Sequence, residues 1–320
     1  MNSNPELTIG IPVFNGEKFL VEKILSILNL NYDNFELIIS DNGSTDSTKK
    51  ICEEFTSKDD RIRLFLQEKN LGPNWNFDFV LKKAKGEYFM WTAVDDKILP
   101  GFIEKNISVL KKNNRVACSI SQVKPYGEKT EFLSEKQTIG FFRKLKKKII
   151  RSFTPLKNIP TFGPYRKKIR THLKTRGHHQ AFYGIYRTKQ IQKIFVSEFI
   201  TGFDLATMLN VLKYGDIFVL DEVLNYRYDG GVSSSGYFNY IKSYKFNLLE
   251  SLFLYYPFTK WCWKNLDKMI FFRNIDCIMK LNLEVIFYIV VDISRKIGLG
   301  ILVNPPNLNK NKKNSGNVKY

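Results

Sequence analysis

Asp95 and Asp96 stand side by side just after the apolar run Tyr88-Phe89-Met90-Trp91. Adjacent carboxylates at the end of a buried strand repel each other, and a divalent cation relieves the repulsion. Hard oxygen ligands of this kind suit Mg²⁺ or Mn²⁺, above all when phosphates complete the coordination. An Asp-Asp pair ahead of Pro100 could equally open a helix, so the pair must be weighed with its surroundings. Asp41 closes a second apolar run, Phe35–Ser40, and leads into Asn42-Gly43-Ser44-Thr45-Asp46. A third run, Leu7–Ile11, leads into Pro12-Val13-Phe14-Asn15-Gly16-Glu17. Apolar runs that stop at Asn-, Asp- or Gly-bearing turns are how buried parallel strands deliver loops to one rim of a sheet. In open α/β sheets that rim is where ligands sit. The chemistry implied is a nucleotide and a metal ion held together.

The elements that must carry these loops are legible. Strands are expected at Leu7–Ile11, Phe35–Ser40, Ile62–Leu66, Tyr88–Thr92 and Val116–Val123. Helices are expected at Glu17–Leu28, from the cap-type residues Ser44 to Asp46 through Phe55, at Trp75–Ala84, and from Pro100 to Lys112. Strict alternation of strand and helix predicts βαβ units and an α/β fold with a mainly parallel twisted sheet flanked by helices. The segment 124–177 reads as a basic, Pro-broken insertion, a long loop region with an amphipathic helix near Ile139–Phe153. Gln180–Tyr186 reads as a strand returning to the sheet, Leu205–Leu212 as a helix, and Ile217–Leu220 and Leu224–Tyr228 as two short strands. The expected organisation is a catalytic unit over 1–235, a helical C-terminal extension over 236–303, and a polar, disordered tail over 304–320.

A net charge of +19 favours a polyanionic partner. Nucleic acid is a poor candidate, because no zinc-finger spacing, RNP-type pattern or other binding signature occurs. An anionic membrane surface fits better. Arg143, Lys144, Lys146, Lys147 and Lys148 alternate with Phe141, Phe142, Leu145 and Ile149, the pattern of an interfacial helix. The run Val285–Val291 is apolar but well short of the roughly 18 residues that span a bilayer. Met1 to Glu6 are polar, and the four scattered cysteines form no CxxC pair, as in a reduced cytoplasmic protein. The expected location is the cytoplasm, peripheral at the inner face of the cell membrane, with homo-oligomerisation left open.

Four segments together resemble the family-two inverting glycosyltransferases, whose nucleotide-sugar-binding domain has the GT-A fold. They are Pro12-Val13-Phe14-Asn15 with Glu17 and Leu20; Asp41 to Asp46; Asn70-Leu71-Gly72 with Trp75-Asn76-Phe77; and Gly86-Glu87-Tyr88-Phe89 running through Trp91 to Asp95-Asp96. The Trp-x-x-x-Asp-Asp ending marks one branch of that family. The resemblance implies that Pro12, Phe14, Asn15, Glu17, Asp41, Asn70, Gly72, Asn76 and Asp95 bind the nucleotide-sugar. Asp41 would meet the base, typically uracil, and Asp95 and Asp96 the metal. It further implies a UDP-sugar donor and a saccharide or lipid-linked acceptor in surface polysaccharide or glycan assembly.

The general base of such an enzyme lies at the start of a later helix, usually within Glu-Asp. Here Gly202-Phe203-Asp204-Leu205 matches, which makes Asp204 the candidate, ahead of Asp216. Two positions depart from the family pattern: Ala93 replaces a usual carboxylate, and Phe203 replaces the Glu. They motivate an alternative, a catalytically degenerate sugar-nucleotide binder. A basic nucleic-acid-binding protein is the remoter alternative. His178 and His179 are read as polar loop residues or as contacts to acceptor or diphosphate, and Arg227 as a strand-end residue or a diphosphate contact.

Overall fold

A computed structural model describes residues 5–127, 159–230 and 253–283, together with positions 250 and 289; for 176–179 it describes the backbone alone. The first strand, β1 (Leu7–Val13), is buried along nearly its whole length, as is β2 (Phe35–Asp41). Between them α1 (Glu17–Leu28) turns Leu20, Ile24 and Ile27 inward. Next come α2 (Thr48–Thr56), β3 (Ile62–Leu66), α3 (Pro73–Lys83) and β4 (Tyr88–Trp91). A two-residue strand, β5 (Lys97–Ile98), precedes α4 (Phe102–Lys112) and the long β6 (Val116–Tyr126). The second half contributes α5 (Tyr165–Lys174), a 3₁₀ segment (Arg176–Tyr183), β7 (Ile185–Arg187), α6 (Thr188–Ile194), α7 (Phe203–Tyr214) and β8 (Asp216–Tyr228). Two short helices, α8 (Tyr256–Asn265) and α9 (Lys268–Arg273), are followed by further helix over 275–283.

The eight strands form one sheet in the order β3-β2-β1-β4-β7-β6-β8-β5. Pairing is parallel from β3 through β4, and again between β6 and β8. β7 runs antiparallel to both neighbours, and β5 is antiparallel to β8. The sheet is therefore mixed, with the parallel half at the N-terminal side. The chain leaves β1 toward β2 and β3, then returns to β4 on the other flank of β1. That reversal is a topological switch point, and it opens a crevice at the carboxyl ends of β1 and β4.

Three readings of the second half are corrected. Gln180–Tyr186 is a 3₁₀ turn ahead of a three-residue strand, because its aromatic run packs rings rather than pairing backbone. Phe182 stacks on Trp91 at 4.5 Å and 8° between planes. The two short strands expected after Ile217 are one continuous strand, bulged where Asp221 and Glu222 face solvent. The insertion contains an ordered helix, α5, which buries Ile169, His172 and Leu173. The amphipathic helix expected near Ile139–Phe153, the run Val285–Val291 apart from position 289, and the tail all lie outside the described residues.

An aromatic block ties the two halves of the sheet together. Trp91 is fully buried, meets Phe89 edge-on at 4.7 Å, and donates from Nε1 to the Phe77 carbonyl at 3.0 Å. Phe203, where the related pattern has a carboxylate, closes the block against Phe77, Phe182 and Phe195. The strand that leads to Asp95 and the helix that starts beside Asp204 thus rest on the same rings.

Candidate active site

Three loops meet on the rim, and side-chain hydrogen bonds lock them to each other. Val13 pairs in register with Asp41, and the Asn42 amide donates to the Val13 carbonyl at 2.9 Å. Asp41 is buried, and its Oδ1 accepts from the amide of Ser44 at 3.0 Å and from the Ser44 hydroxyl. Gly43 makes that turn possible: its φ is 73°, and a Cβ would lie 2.7 Å from the Lys69 backbone.

Asn15 holds the left-handed φ of 52° that Asn tolerates. Its amide donates to Ser44 Oγ at 2.8 Å, and its Oδ1 accepts from the Thr45 amide at 2.9 Å. Glu17 Oε2 accepts from the Ser47 amide at 2.9 Å. These hydrogen bonds fasten the β1 loop to the β2 loop.

Asn70, Gly72 and Asn76 brace the same rim from beneath. Asn42 donates from Nδ2 to Asn70 Oδ1 and to the Gly72 carbonyl, and accepts from the Leu71 amide. Asn76 is buried and donates to the Ser40 carbonyl at 2.9 Å. Pro12 is half-buried, and Phe14 stands 45% exposed as an aromatic face at the rim.

The second feature is a charge cluster. Asp96 is buried, and its Oδ1 accepts from the Tyr228 amide at 3.1 Å. The Asp95 carbonyl accepts from the Tyr126 hydroxyl. Lys23, buried on the apolar face of α1, donates to the Asp96 carbonyl at 2.8 Å. Arg227, near the end of β8, lies within electrostatic reach of Asp95, Asp96 and Asp204, with its guanidinium 5.7 Å from the Tyr183 ring centre. Asp204 sits in the first turn of α7, where its Oδ1 accepts from the Leu205 amide at 2.9 Å. The preceding Gly202 has φ 83° and packs so close to Tyr255 that a Cβ would stand 3.2 Å from its ring.

Burial dominates the ionisation of this cluster. It raises Asp95 and lifts Asp96 to about 6, against the pull of Arg227 and Lys23. It pushes Lys23 down to about 8, although Asp96 and Asp95 pull it up. For Arg227 burial also acts against the charge, but Tyr183, Asp96, Asp204 and Asp95 outweigh it and the guanidinium is held above its ordinary value. Among the described residues, Asp95 and Asp96 lie within electrostatic reach of Arg227 and Lys23, and Asp204 within reach of Arg227. Adjacent carboxylates at a strand end offer a hard divalent cation the oxygen ligands it prefers. No cluster of three His, Cys, Asp or Glu suited to a metal occurs among the described residues. A cation at Asp95 and Asp96 would draw its other ligands from diphosphate and water, as Mg²⁺ commonly does.

Asp216 does not join the cluster. It begins β8, eleven residues from Arg227 and therefore roughly 35 Å away along an extended strand, where it pairs with Lys168 at 3.2 Å. His172 is buried within α5, and the side chains of His178 and His179 lie outside the described residues. Lys23 was not singled out from sequence. The available signal was a lysine on the buried stripe that runs Leu20, Ile24, Ile27.

A mixed α/β sheet with its loops gathered at a switch-point rim defines a GT-A-like class of protein. The chain belongs to glycosyl transferase family 2, whose family model matches residues 8–173, just over half of its length. It is 38% identical over 112 residues to an uncharacterised glycosyltransferase of Haemophilus influenzae, covering 35% of this chain and 45% of that one. It is also 38% identical over 98 residues to a GalNAc(5)-diNAcBac-PP-undecaprenol beta-1,3-glucosyltransferase of Campylobacter jejuni, covering 30% of this chain and 32% of the relative. The match thus spans less than half of either relative. Among solved structures, the fold is similar to S. aureus TarS 1-349 in complex with UDP-GlcNAc, with a TM-score of 0.53 at 17% identity, covering 87% and 81% of the two chains. A mannosyltransferase from Pyrobaculum calidifontis in complex with GDP-Man and Mn2+ gives a TM-score of 0.55 at 13% identity, covering 93% and 77%.

The buried charge predicts a particular pH response. Folded Asp96 titrates near 6 rather than at the ordinary 3.8, so between those values the folded protein holds a proton that the unfolded chain has lost. Ionised Asp96 therefore costs stability, and the cost is complete above about pH 6. Asp96→Asn keeps an acceptor for the Tyr228 amide and removes the charge. In metal-free protein it should raise stability at neutral pH by about 1–3 kcal/mol, and the gain should vanish as the pH falls from about 6 to 3.8. Urea denaturation across that range checks both the sign and the window. A neutral-pH loss of stability would contradict a burial cost on ionised Asp96.

Proposed function

We propose that this protein is an inverting glycosyltransferase that moves a sugar from a nucleotide diphosphate donor, a UDP-sugar, to a saccharide or lipid-linked acceptor. The observation that carries the reading is the convergence of Asp95, Asp96 and Asp204 about Arg227 beside the β1 and β2 rim loops. The family membership supports the reaction class. The Campylobacter relative's name, which includes PP-undecaprenol, supports a lipid-linked acceptor, and TarS in complex with UDP-GlcNAc supports a UDP-sugar. The setting proposed is glycan assembly at the cytoplasmic face of a membrane, with the 1–235 unit carrying the whole of the chemistry.

In this reading the β1 and β2 loops hold the nucleoside. Phe14 offers it an aromatic face and Asp41 a hydrogen-bond acceptor, with Pro12, Asn15, Glu17, Asn70, Gly72 and Asn76 setting the shape of the cleft. Asp95 and Asp96 would hold Mg²⁺ or Mn²⁺, and Asp95 also faces the donor. When bound, the cation would supply neutralisation of the charge that builds on the departing diphosphate. Arg227 adds fixed positive charge at the same place. Asp204 takes the proton from the acceptor hydroxyl as that oxygen attacks the anomeric carbon from the face opposite the diphosphate. A single displacement uses no enzyme nucleophile. Cys52 and Cys118 are unsuited to that role, since burial pushes both thiols up to about 12. A donor-binding protein without transferase activity is the second reading. Phe203, whose ring is built into the aromatic block, favours it, because a carboxylate usual at that position is missing.

Asp204→Asn separates the two readings. It keeps the helix-start hydrogen bond and removes the base. Turnover should fall by roughly 10²-fold or more while the dissociation constant for UDP, measured by calorimetry, stays within error. Unchanged turnover would remove Asp204 as the base, and wild-type protein inert toward every donor and acceptor in a broad panel would favour the binder.

Asp41→Ala should weaken UDP binding by roughly 1–3 kcal/mol, the scale of a hydrogen bond lost with its partner left unpaired. Because Asp41 also holds the Ser44 turn, the control is Ser44→Ala. It removes the hydroxyl's bonds to Asp41 and to the Asn15 amide but leaves the Asp41 carboxylate, and should cost clearly less affinity. Equal losses from the two variants would make Asp41 a structural residue.

A further inference from the structure

We propose that the outer face of α9 and of the helical residues 275–283 is a docking surface for an anionic lipid bilayer. The periodicity of this stretch divides it into two faces. Ile270, Phe271, Asn274, Cys277, Ile278 and Leu281 are buried against the protein. On the other side Met269, Phe272, Ile275, Met279 and Leu283 are all exposed, from 39% to 59%. Spacings of three and four place these five side chains on one stripe, so large apolar groups that ordinarily seek burial lie together in water.

Charge decides what the stripe fits. Lys268, Arg273 and Lys280 lie on the exposed side of the same stretch. Beside it, between α5 and α9, a cavity of about 410 Å³ is lined by Arg166, Lys167, Arg170 and Arg273 with Ile270 and Asn274. The two acids on the exposed side are already engaged. Asp276 forms a forked pair with Arg170, with Nη2 to Oδ2 at 2.7 Å, and Asp267 caps α9 through the Met269 and Ile270 amides. Trp263 stands at the edge of the stripe, 46% exposed, with its ring 5.9 Å from that of Phe272 and Lys268 above it at 3.5 Å. An apolar stripe rimmed by cations and edged by a tryptophan is complementary to a headgroup layer, which presents anionic groups above hydrocarbon.

None of this depends on a transferase activity. No described helix is long and apolar enough to cross a membrane, so the contact proposed is with the surface of the bilayer. The same helical layer reaches the loop that delivers Asp204, since Gly202 packs on Tyr255 and Phe258.

The test is co-sedimentation of the full chain with vesicles. Binding should occur with equal parts phosphatidylcholine and phosphatidylglycerol at low salt, weaken as salt rises, and be absent with phosphatidylcholine alone. Phe272→Ser with Met279→Ser should lower the partition coefficient by about tenfold or more. Arg166→Glu with Lys167→Glu should do the same and flatten the salt dependence. All four side chains face solvent or the open cavity, so the urea midpoints should be unchanged. Brominated lipids give a readout that needs no surface variant. They should quench tryptophan fluorescence in the wild type, and the quenched part should be lost in Trp263→Phe. Failure of the wild type to bind anionic vesicles would overturn the proposal. So would binding that survives both double variants. A wild-type dimer that dissociates on Phe272→Ser with Met279→Ser, with vesicle binding intact, would assign the face to a second copy of the chain instead.

Discussion

The structure turns on the burial of opposite charges between α1, the β4–β5 loop and the end of β8. Lys23 reaches across the helix–sheet boundary to the Asp96 carbonyl, and the Tyr228 amide reaches Asp96 from the other side. Neither ionised partner gains from this in isolation. Burial drives Lys23 down and Asp96 up, and each is partly rescued by the other. Opposite charges buried near one another often fail to repay their desolvation as folding stability. Here the cost keeps two adjacent carboxylates at the rim of the sheet.

Among the described residues, aromatic packing and loop hydrogen bonds support the cluster. Trp91 and its ring neighbours sit directly under the loop that carries Asp95 and Asp96, and Phe203 joins them from the helix that carries Asp204. The Asn15, Glu17, Asn42 and Asn76 hydrogen bonds do the same for the β1 and β2 side of the rim. Side chains spent on bracing a loop preorganise it, so that less conformational entropy is lost when a ligand arrives.

Much of this was legible in the sequence because short-range signals agree there. Glu17–Leu28 and Ile62–Leu66 fall where periodicity puts them, and the parallel half of the sheet follows from strand–helix alternation. The failures share a cause, which is tertiary contact. Ala181-Phe182-Tyr183 looks like strand because it is apolar, but stacking on Trp91 uses those rings in a 3₁₀ turn. Lys97–Ile98 is too short for any periodicity, and it exists only because β8 is there to pair with it. Candidate site residues named from the loops do gather on one rim. What spacing could not reveal is how they work: Asn15, Glu17 and Asn76 make bonds between loops, and Lys23 is invisible until α1 is packed.

We propose that Asp95 and Asp96, beside Lys23 and Arg227, form the seat of a divalent cation next to a nucleotide diphosphate. Electron paramagnetic resonance of Mn²⁺ titrated into the protein with UDP tests it directly, because bound and free ion give different spectra. Saturable Mn²⁺ binding that requires UDP is expected; it should disappear in Asp95→Asn with Asp96→Asn and survive Asp204→Asn. Mn²⁺ binding that persists undiminished in the Asp95→Asn, Asp96→Asn protein would place the cation elsewhere and overturn the assignment of these carboxylates.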